Sequence, residues 1–345
     1  MGGGSWNVNT HRRTLAANQA AGRSTFDYTD QVRAGTATEV NKLVDPKQVA
    51  GPASPFAGKV MREVCITDEH PNPTAIAVIL DVTGSNIEAA KVTHSKLPQL
   101  HGLLQRKGYA EDPQILFGAI GDAFTDDFPL QMGQFESDNA MDDQLAAIVL
   151  EGGGGGQRRE TYELAAYFLA RHTTLEPFDR DGKKGYAIFI GDEMPYPTIK
   201  NNYGSYGSGH TLESLTGDVI GEDLSTAEIF EELQERYEVF FLFQAQGNYR
   251  KEQILPAWRE LLGERALVLE DPSAVCEFIA GLLGMNEAGL TADEVVEDLK
   301  QIGADSGATE AAGKALATVG GGSAVAKTDG ILHEVDDDSG GSDRL

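Results

Sequence analysis

Three places in the sequence set oxygen-bearing side chains where they could act together. Asp81-Val82-Thr83-Gly84-Ser85-Asn86 puts a carboxylate and two hydroxyls on alternate positions directly after the apolar string Thr74 to Leu80. In a strand-to-helix turn such positions are able to point one way. Five glycines, Gly152 to Gly156, then lead through Gln157 to Glu160 into Thr161. Glycine lets backbone pass close to a ligand, and the Thr161 hydroxyl either caps the following helix or faces a crevice. The third place is Asp192, in Gly191-Asp192-Glu193 after the string YAIFI. Asp81, Thr83, Ser85, Thr161 and Asp192 form an all-oxygen set that suits a hard divalent cation: Mg²⁺, or Mn²⁺ or Ca²⁺. Two carboxylates and three hydroxyls leave such an ion little excess negative charge, so it can attract a further carboxylate from a partner. Asp122, with Asp126 and Asp127, and Asn86 could support the site from outside. Each group also has a plainer use: Ser85, Asn86 and Thr161 as helix caps, Asp192 as an acceptor for turn amides, Asp122 as a loop carboxylate.

The elements that must position these groups follow from hydrophobic pattern. Thr74 to Leu80 is apolar almost throughout, as a strand buried on both faces should be. Ile115 to Gly121, Tyr186 to Gly191, Val239 to Phe243 and Ala266 to Leu269 follow at α/β spacing, with Val64 to Thr67 as a leading edge strand. Ile87, Ala90, His94, Leu97 and Leu104 recur at helical intervals, and Gln144 to Leu150, Tyr162 to Arg171, Ala227 to Tyr237, Lys251 to Leu262 and Ser273 to Leu283 supply further helices. Thr291 and Glu294 form a capping box for a last helix ending near Gly303. The expected fold is α/β: a doubly wound, mostly parallel sheet flanked by helices, Rossmann-like, over residues 61–302. Its ligand crevice lies outside the carboxyl ends of the strands, where the three places fall. Residues 1–60 read as an irregular arm with a charge balance of +3, against −29 for the remainder, and residues 303–345 as a flexible acidic tail.

Composition excludes several functions. The net charge of −26 over 345 residues repels phosphate backbones and anionic lipids, so neither nucleic acid nor membrane is an expected partner. Cys65 and Cys276 have no Cys or His neighbour at metal-ligand spacing and read as buried thiols. The opening MGGGSWNVNTHRR has no apolar run behind its basic residues, which places the protein in the cytosol. The histidines, His94 and His101 among them, show no paired ligand spacing, no GxSxG elbow occurs, and GATEAAGKA near Gly307 lacks the phosphate-loop spacing. No complete catalytic signature is present, so the chain is not read as an enzyme.

Asp81-x-Thr83-x-Ser85 after a buried strand, Thr161 behind a glycine loop and Asp192 after a later strand together resemble the metal-ion-dependent adhesion site of von Willebrand factor A domains, of the bacterial or phage cytosolic type. The resemblance covers residues 61 to 285. It implies that these five residues hold the ion, that a partner's acidic side chain takes the open position, and that a ring-shaped ATPase is such a partner. Thr83 stands where the commoner loop has Ser, and Gln157 to Glu160 lengthen the glycine loop. The expected function is therefore cation-dependent protein binding. Alternatives are a metal-dependent phosphoryl hydrolase using Asp81, and a structural scaffold. Residues 193 to 224 are too long for a simple connection. Tyr196, Tyr203 and Tyr206 among Asn, Gly and Ser have the composition of a recognition loop rimming the site.

Overall fold

The computed structural model describes residues 4–24, 26–84, 86–152, 158–204, 209–245 and 249–320. Its centre is a mixed six-stranded sheet built from β1 (Pro73–Asp81), β2 (Asp112–Ile120), β3 (Leu130–Met132), β4 (Gly185–Gly191), β5 (Tyr237–Gln244) and β6 (Ala266–Leu269). The order is β6-β5-β4-β1-β2-β3, with β3 antiparallel to β2 and the other pairings parallel.

The apolar strings form strands because both of their faces are buried. Ile76, Val78 and Leu80 enter one core, with the helices Ile87–Lys107, Val275–Glu287, Ala292–Gln301 and Ser306–Gly320. Ala75, Ala77 and Ile79 enter the other, with the helices Tyr162–Arg171, Thr226–Arg236 and Lys251–Leu262. Each fully buried large aliphatic or aromatic side chain contributes about 1.5–3 kcal/mol by leaving water, so helices on both faces hold the sheet firmly. In the second core, Trp258 stacks flat on Phe241 at 3.9 Å and donates its indole N–H to Glu193 O at 2.8 Å. That bond ties the core to the strand-end loop after β4.

Several expectations change. The leading strand is shorter and earlier, Arg62–Val64, and pairs with Thr173–Leu175 outside the central sheet. The antiparallel edge strand β3 carried no apolar string long enough to announce it. The arm is not irregular: it contains the helices Val8–Ala20 and Asp27–Arg33. Asn7 caps the first, accepting from Asn9 N at 2.9 Å and Thr10 N at 3.1 Å. The arm is fixed to the body by specific contacts. Met132 N donates to Val44 O (2.7 Å), Leu150 N to the Thr29 hydroxyl (3.0 Å), and Trp6 N to Ser137 O (2.8 Å).

The stretch after residue 303 is also ordered as far as Gly320. Ala308, Ala312, Ala315 and Leu316 of Ser306–Gly320 are buried, and the helix packs against Val275–Glu287, where Gly281 leaves room for Leu316. Residues 321–345 lie outside the described residues. Of the face expected on Ile87–Lys107, Ala90 and Leu104 are buried, while the side chains of His94 and Leu97 lie outside the described ones. Cys65 is half-buried, Cys276 is buried, and the two form no disulfide with each other. Among the described residues, no helix is long and apolar enough to cross a membrane.

Candidate functional site

Register brings the three loops together. Asp81, the last residue of β1, pairs with Ile120 of β2, and Leu80 pairs with Ile190 of β4. Adjacent parallel strands ending at one level must release their loops side by side, so the segments after Asp81, Ile120 and Gly191 leave the sheet as neighbours. Gly191 is required here: a side chain at that position would collide with the Tyr162 hydroxyl and press on the Asp81 carboxylate.

Asp81 is fully buried. Its Oδ1 accepts from the Thr83 hydroxyl at 2.6 Å and from Thr83 N at 3.0 Å, and its Oδ2 accepts from the Tyr162 hydroxyl at 2.8 Å. Asn86 Nδ2 donates to Asp81 O at 3.0 Å and closes the first loop. Burial, then the charge of Asp192, push the Asp81 carboxyl up to about 6 against the opposing pull of those hydrogen bonds. In the second loop Asp122 accepts from Phe124 N at 3.0 Å and from the Tyr196 hydroxyl at 3.1 Å, while Asp126 accepts from Asp122 N at 2.7 Å. The Thr161 hydroxyl donates to Gly121 O, so Thr161 is tied to this second loop and makes no side-chain cap of its helix. Asp192 is buried beside Asp81 and raises its pKa. Ser85 and Tyr206 lie outside the described residues.

Three further acids complete the pocket. Glu160, Glu163 and Glu193 are each at most 5% exposed, and among the described residues Glu160 Oε2, Glu163 Oε1 and Glu193 Oε2 have no hydrogen-bond partner. A short pairing of Arg159–Glu160 with Met194–Pro195 draws the glycine-loop exit onto the loop after β4. Burial first and then the charge of Asp81 push Glu193 up to about 9 and Glu160 well above the usual carboxylate range. Among the described residues, no Lys or Arg forms an ion pair with Asp81, Asp122, Asp126, Glu160 or Glu193. An ionised carboxylate out of water and unpaired costs several kcal/mol, so the pocket takes up positive charge, as protons or as a cation. Among the described residues no three of His, Cys, Asp or Glu are placed to hold a metal ion. A cation here would therefore rest on Asp81 and Asp192, the Thr83 hydroxyl and water.

Two of the three tyrosines expected on the loop after Asp192 turn inward. Tyr203 is fully buried, its hydroxyl accepts from Lys200 N at 3.1 Å, and its ring meets Phe124 edge-on at 5.2 Å. Tyr196 is partly buried, its ring 4.8 Å from Phe124 and its hydroxyl on Asp122. The rings of Tyr196 and Tyr203 thus pack on the second core, to which Leu212 and Leu215 of Leu212–Thr216 also belong.

No protein-family model matches this chain, and no curated protein matches it. Among solved structures it is similar to the pilus adhesin SpaC from Lactobacillus rhamnosus GG at 14% identity and TM-score 0.44, over 62% of this chain and 30% of that one. It is similar to proximal thread matrix protein 1 from the mussel byssus at 11% identity and TM-score 0.40, over 61% and 48%. With the type V pili tip protein Mfa5 from Porphyromonas gingivalis the figures are 16% and 0.26, over 38% and 21%. The chain thus spans less than half the length of each. The resemblance to a cytosolic von Willebrand factor A domain with its adhesion site is corrected by these results: no family matches, and no metal centre of three such ligands occurs among the described residues. The ring-shaped ATPase, which rested on that resemblance, loses its support.

Proposed function

We propose that the carboxyl edge of the sheet is a cation-dependent docking site for a protein partner. We read the sheet, with helices on both faces, as a doubly wound, Rossmann-like arrangement whose crevice lies at that edge. A hard divalent ion, Mg²⁺ or else Mn²⁺ or Ca²⁺, sits among Asp81, Thr83 and Asp192, and water fills the remaining positions until a partner's carboxylate takes one. The observation that carries this reading is the gathering of buried carboxyl groups, with Glu160 Oε2, Glu163 Oε1 and Glu193 Oε2 lacking a hydrogen-bond partner among the described residues. Glu193, pushed up to about 9, and Glu160, held well above the usual range, keep their protons at neutral pH. That leaves Asp81 and Asp192 to the ion: two carboxylates balance a divalent charge without excess, so the ion keeps coordination positions that water fills and that an acidic side chain can take.

Thermal melting with and without a chelator tests it. An ion bound only by the folded chain adds RT ln(1 + [L]/Kd), about 2.7 kcal/mol at a hundredfold excess over Kd. Melting should rise with Mg²⁺, Mn²⁺ or Ca²⁺, and Asp81→Ala should remove the rise. No rise in the parent chain, or an equal rise in Asp81→Ala, overturns the site. Acetate should add a second increment only when the cation is present; an increment without it overturns the partner half of the reading.

A further inference from the structure

Far from the acidic pocket, the N-terminal helix Val8–Ala20 and the long helix Ile87–Lys107 enclose an open groove of about 660 Å³. Its described lining includes Trp6, His11, Arg12, Leu15, Gln105 and Arg106, and no Asp or Glu. That composition is unexpected in a chain with 54 acidic and 28 basic residues. Among the described residues neither Arg12 nor Arg106 forms an ion pair, although carboxylates are in excess over the chain as a whole. Arg106 Nε donates to Gly102 O at 2.9 Å, which holds its guanidinium beside the groove.

Asp142 bonds to two of the lining residues, Trp6 and His11, and its oxygens are already engaged. They accept from Trp6 Nε1 at 3.2 Å and from Asn139 Nδ2 at 2.9 Å, and one lies 3.0 Å from His11 Nδ1. Those bonds anchor the start of the N-terminal helix. Its remaining length buries none of its residues, and Val8 is 41% exposed at the groove. Among the described residues the groove therefore offers two guanidinium groups without an ion pair beside the apolar side chains of Val8, Leu15 and Trp6. Its volume lies within the range of a ligand pocket.

We propose that this groove docks an acidic segment of a partner protein, two carboxylates pairing with Arg12 and Arg106 while an aliphatic side chain lies against Val8 and Leu15. Guanidinium–carboxylate pairs set the register, and the surrounding negative field rejects segments that cannot place their charges there. The site is independent of the cation pocket and needs no metal.

The full chain should be titrated with a fluorescein-labelled twelve-residue peptide of Asp, Glu and Leu, and with its Asn/Gln counterpart. Trp6, which lines the groove, supplies a second readout, since Trp258, the other tryptophan, lies in the core on the opposite face of the sheet. The acidic peptide should bind at least tenfold tighter than the amide one, weaken tenfold or more between low and high salt, and alter Trp6 emission. Arg12→Glu with Arg106→Glu should reduce affinity at least tenfold, and Arg106→Gln alone by a lesser factor; both positions are exposed, so folding is expected to survive and circular dichroism checks it. Equal binding of the two peptides, or unchanged binding in both variants, overturns the proposal. Binding that requires Mg²⁺ and disappears in Asp81→Ala overturns it too, because the carboxylates would then be meeting the other site.

Discussion

Two regions of this molecule bury charge, and they handle it in opposite ways. Arg62 is 1% exposed, yet its guanidinium donates to Gly133 O, Gln48 O and Asp45 O at 2.8 Å and to Met132 O at 3.3 Å, and lies 5.3 Å from the Phe168 ring centre. Burial pulls it down to about 10, so it stays charged at neutral pH. The acidic pocket leaves three carboxylate oxygens without a donor among the described residues. A charge saturated by backbone carbonyls is a fastener: it staples the arm to β3 and to Arg62–Val64. A set of charges left unsaturated is a binding capacity, because something outside the chain must complete it.

Removing each charge should therefore have opposite consequences. Arg62→Leu strands several buried carbonyls at about 1–3 kcal/mol each, partly relieved by relaxation, so urea unfolding should register a loss of about 3–5 kcal/mol. Asp81→Ala leaves the Tyr162 and Thr83 donors without their acceptor but relieves the repulsion with Asp192, so it should cost less in chelator than Arg62→Leu, and it should forfeit the whole cation-linked gain of about 2.7 kcal/mol at a hundredfold excess over Kd. If Arg62→Leu is harmless, or Asp81→Ala costs as much in chelator as in Mg²⁺, the contrast fails.

The pocket's protons give a smaller effect spread over pH. Glu193 is raised from about 4.5 unfolded to about 9 folded, so between those values the folded chain holds a proton that the unfolded chain has released. Cation-free stability should then fall as pH rises through that window, at no more than about 1.4 kcal/mol per pH unit for one group. Glu193→Gln should flatten the fall. His101 works in the other direction. Burial lowers it to about 4, so its share of stability is lost as pH drops from 6.5 through 4, and His101→Phe should protect that acid limb alone. Urea midpoints across pH check both slopes; a parent chain whose stability rises between pH 5 and 8 in chelator contradicts the Glu193 account.

The sequence carried the central part of this contrast and missed its edges. Strings such as TAIAVIL are legible because a strand covered on both faces is apolar at every position, and their ends locate Asp81, Thr83 and Asp192 at one level. The glutamates were illegible: a Glu next to Thr161 or Asp192 looks like a surface residue until the pairing of Arg159–Glu160 with Met194–Pro195 folds it inward. The two helices of small residues, Val8–Ala20 and Ser306–Gly320, were missed for a related reason. Alanine contrasts weakly with its neighbours, so neither shows a strong apolar period, although a cap on the first and an alanine face on the second suffice to form them. Tyr203 misled in the other direction, because its Gly- and Ser-rich surroundings resemble a recognition loop while the ring fills a local core.

The smallest effect belongs to a charge that neither region contains. Arg171 and Glu232 meet at 3.0 Å on the surface, 36% and 39% exposed, with Arg171 also lying over the Tyr167 ring at 5.0 Å. Water screens this pair, and ordering two long side chains offsets part of the attraction. A double-mutant cycle with Arg171→Ala and Glu232→Ala should give a coupling of about 0.2–1 kcal/mol, shrinking further in high salt. Arg171→Ala should exceed that figure slightly, because its stem and the ring contact are lost along with the charge. A coupling as large as the Arg62→Leu loss would mean that exposure does not set the worth of a charge in this protein, and the distinction between fastener and binding capacity would lose its physical basis.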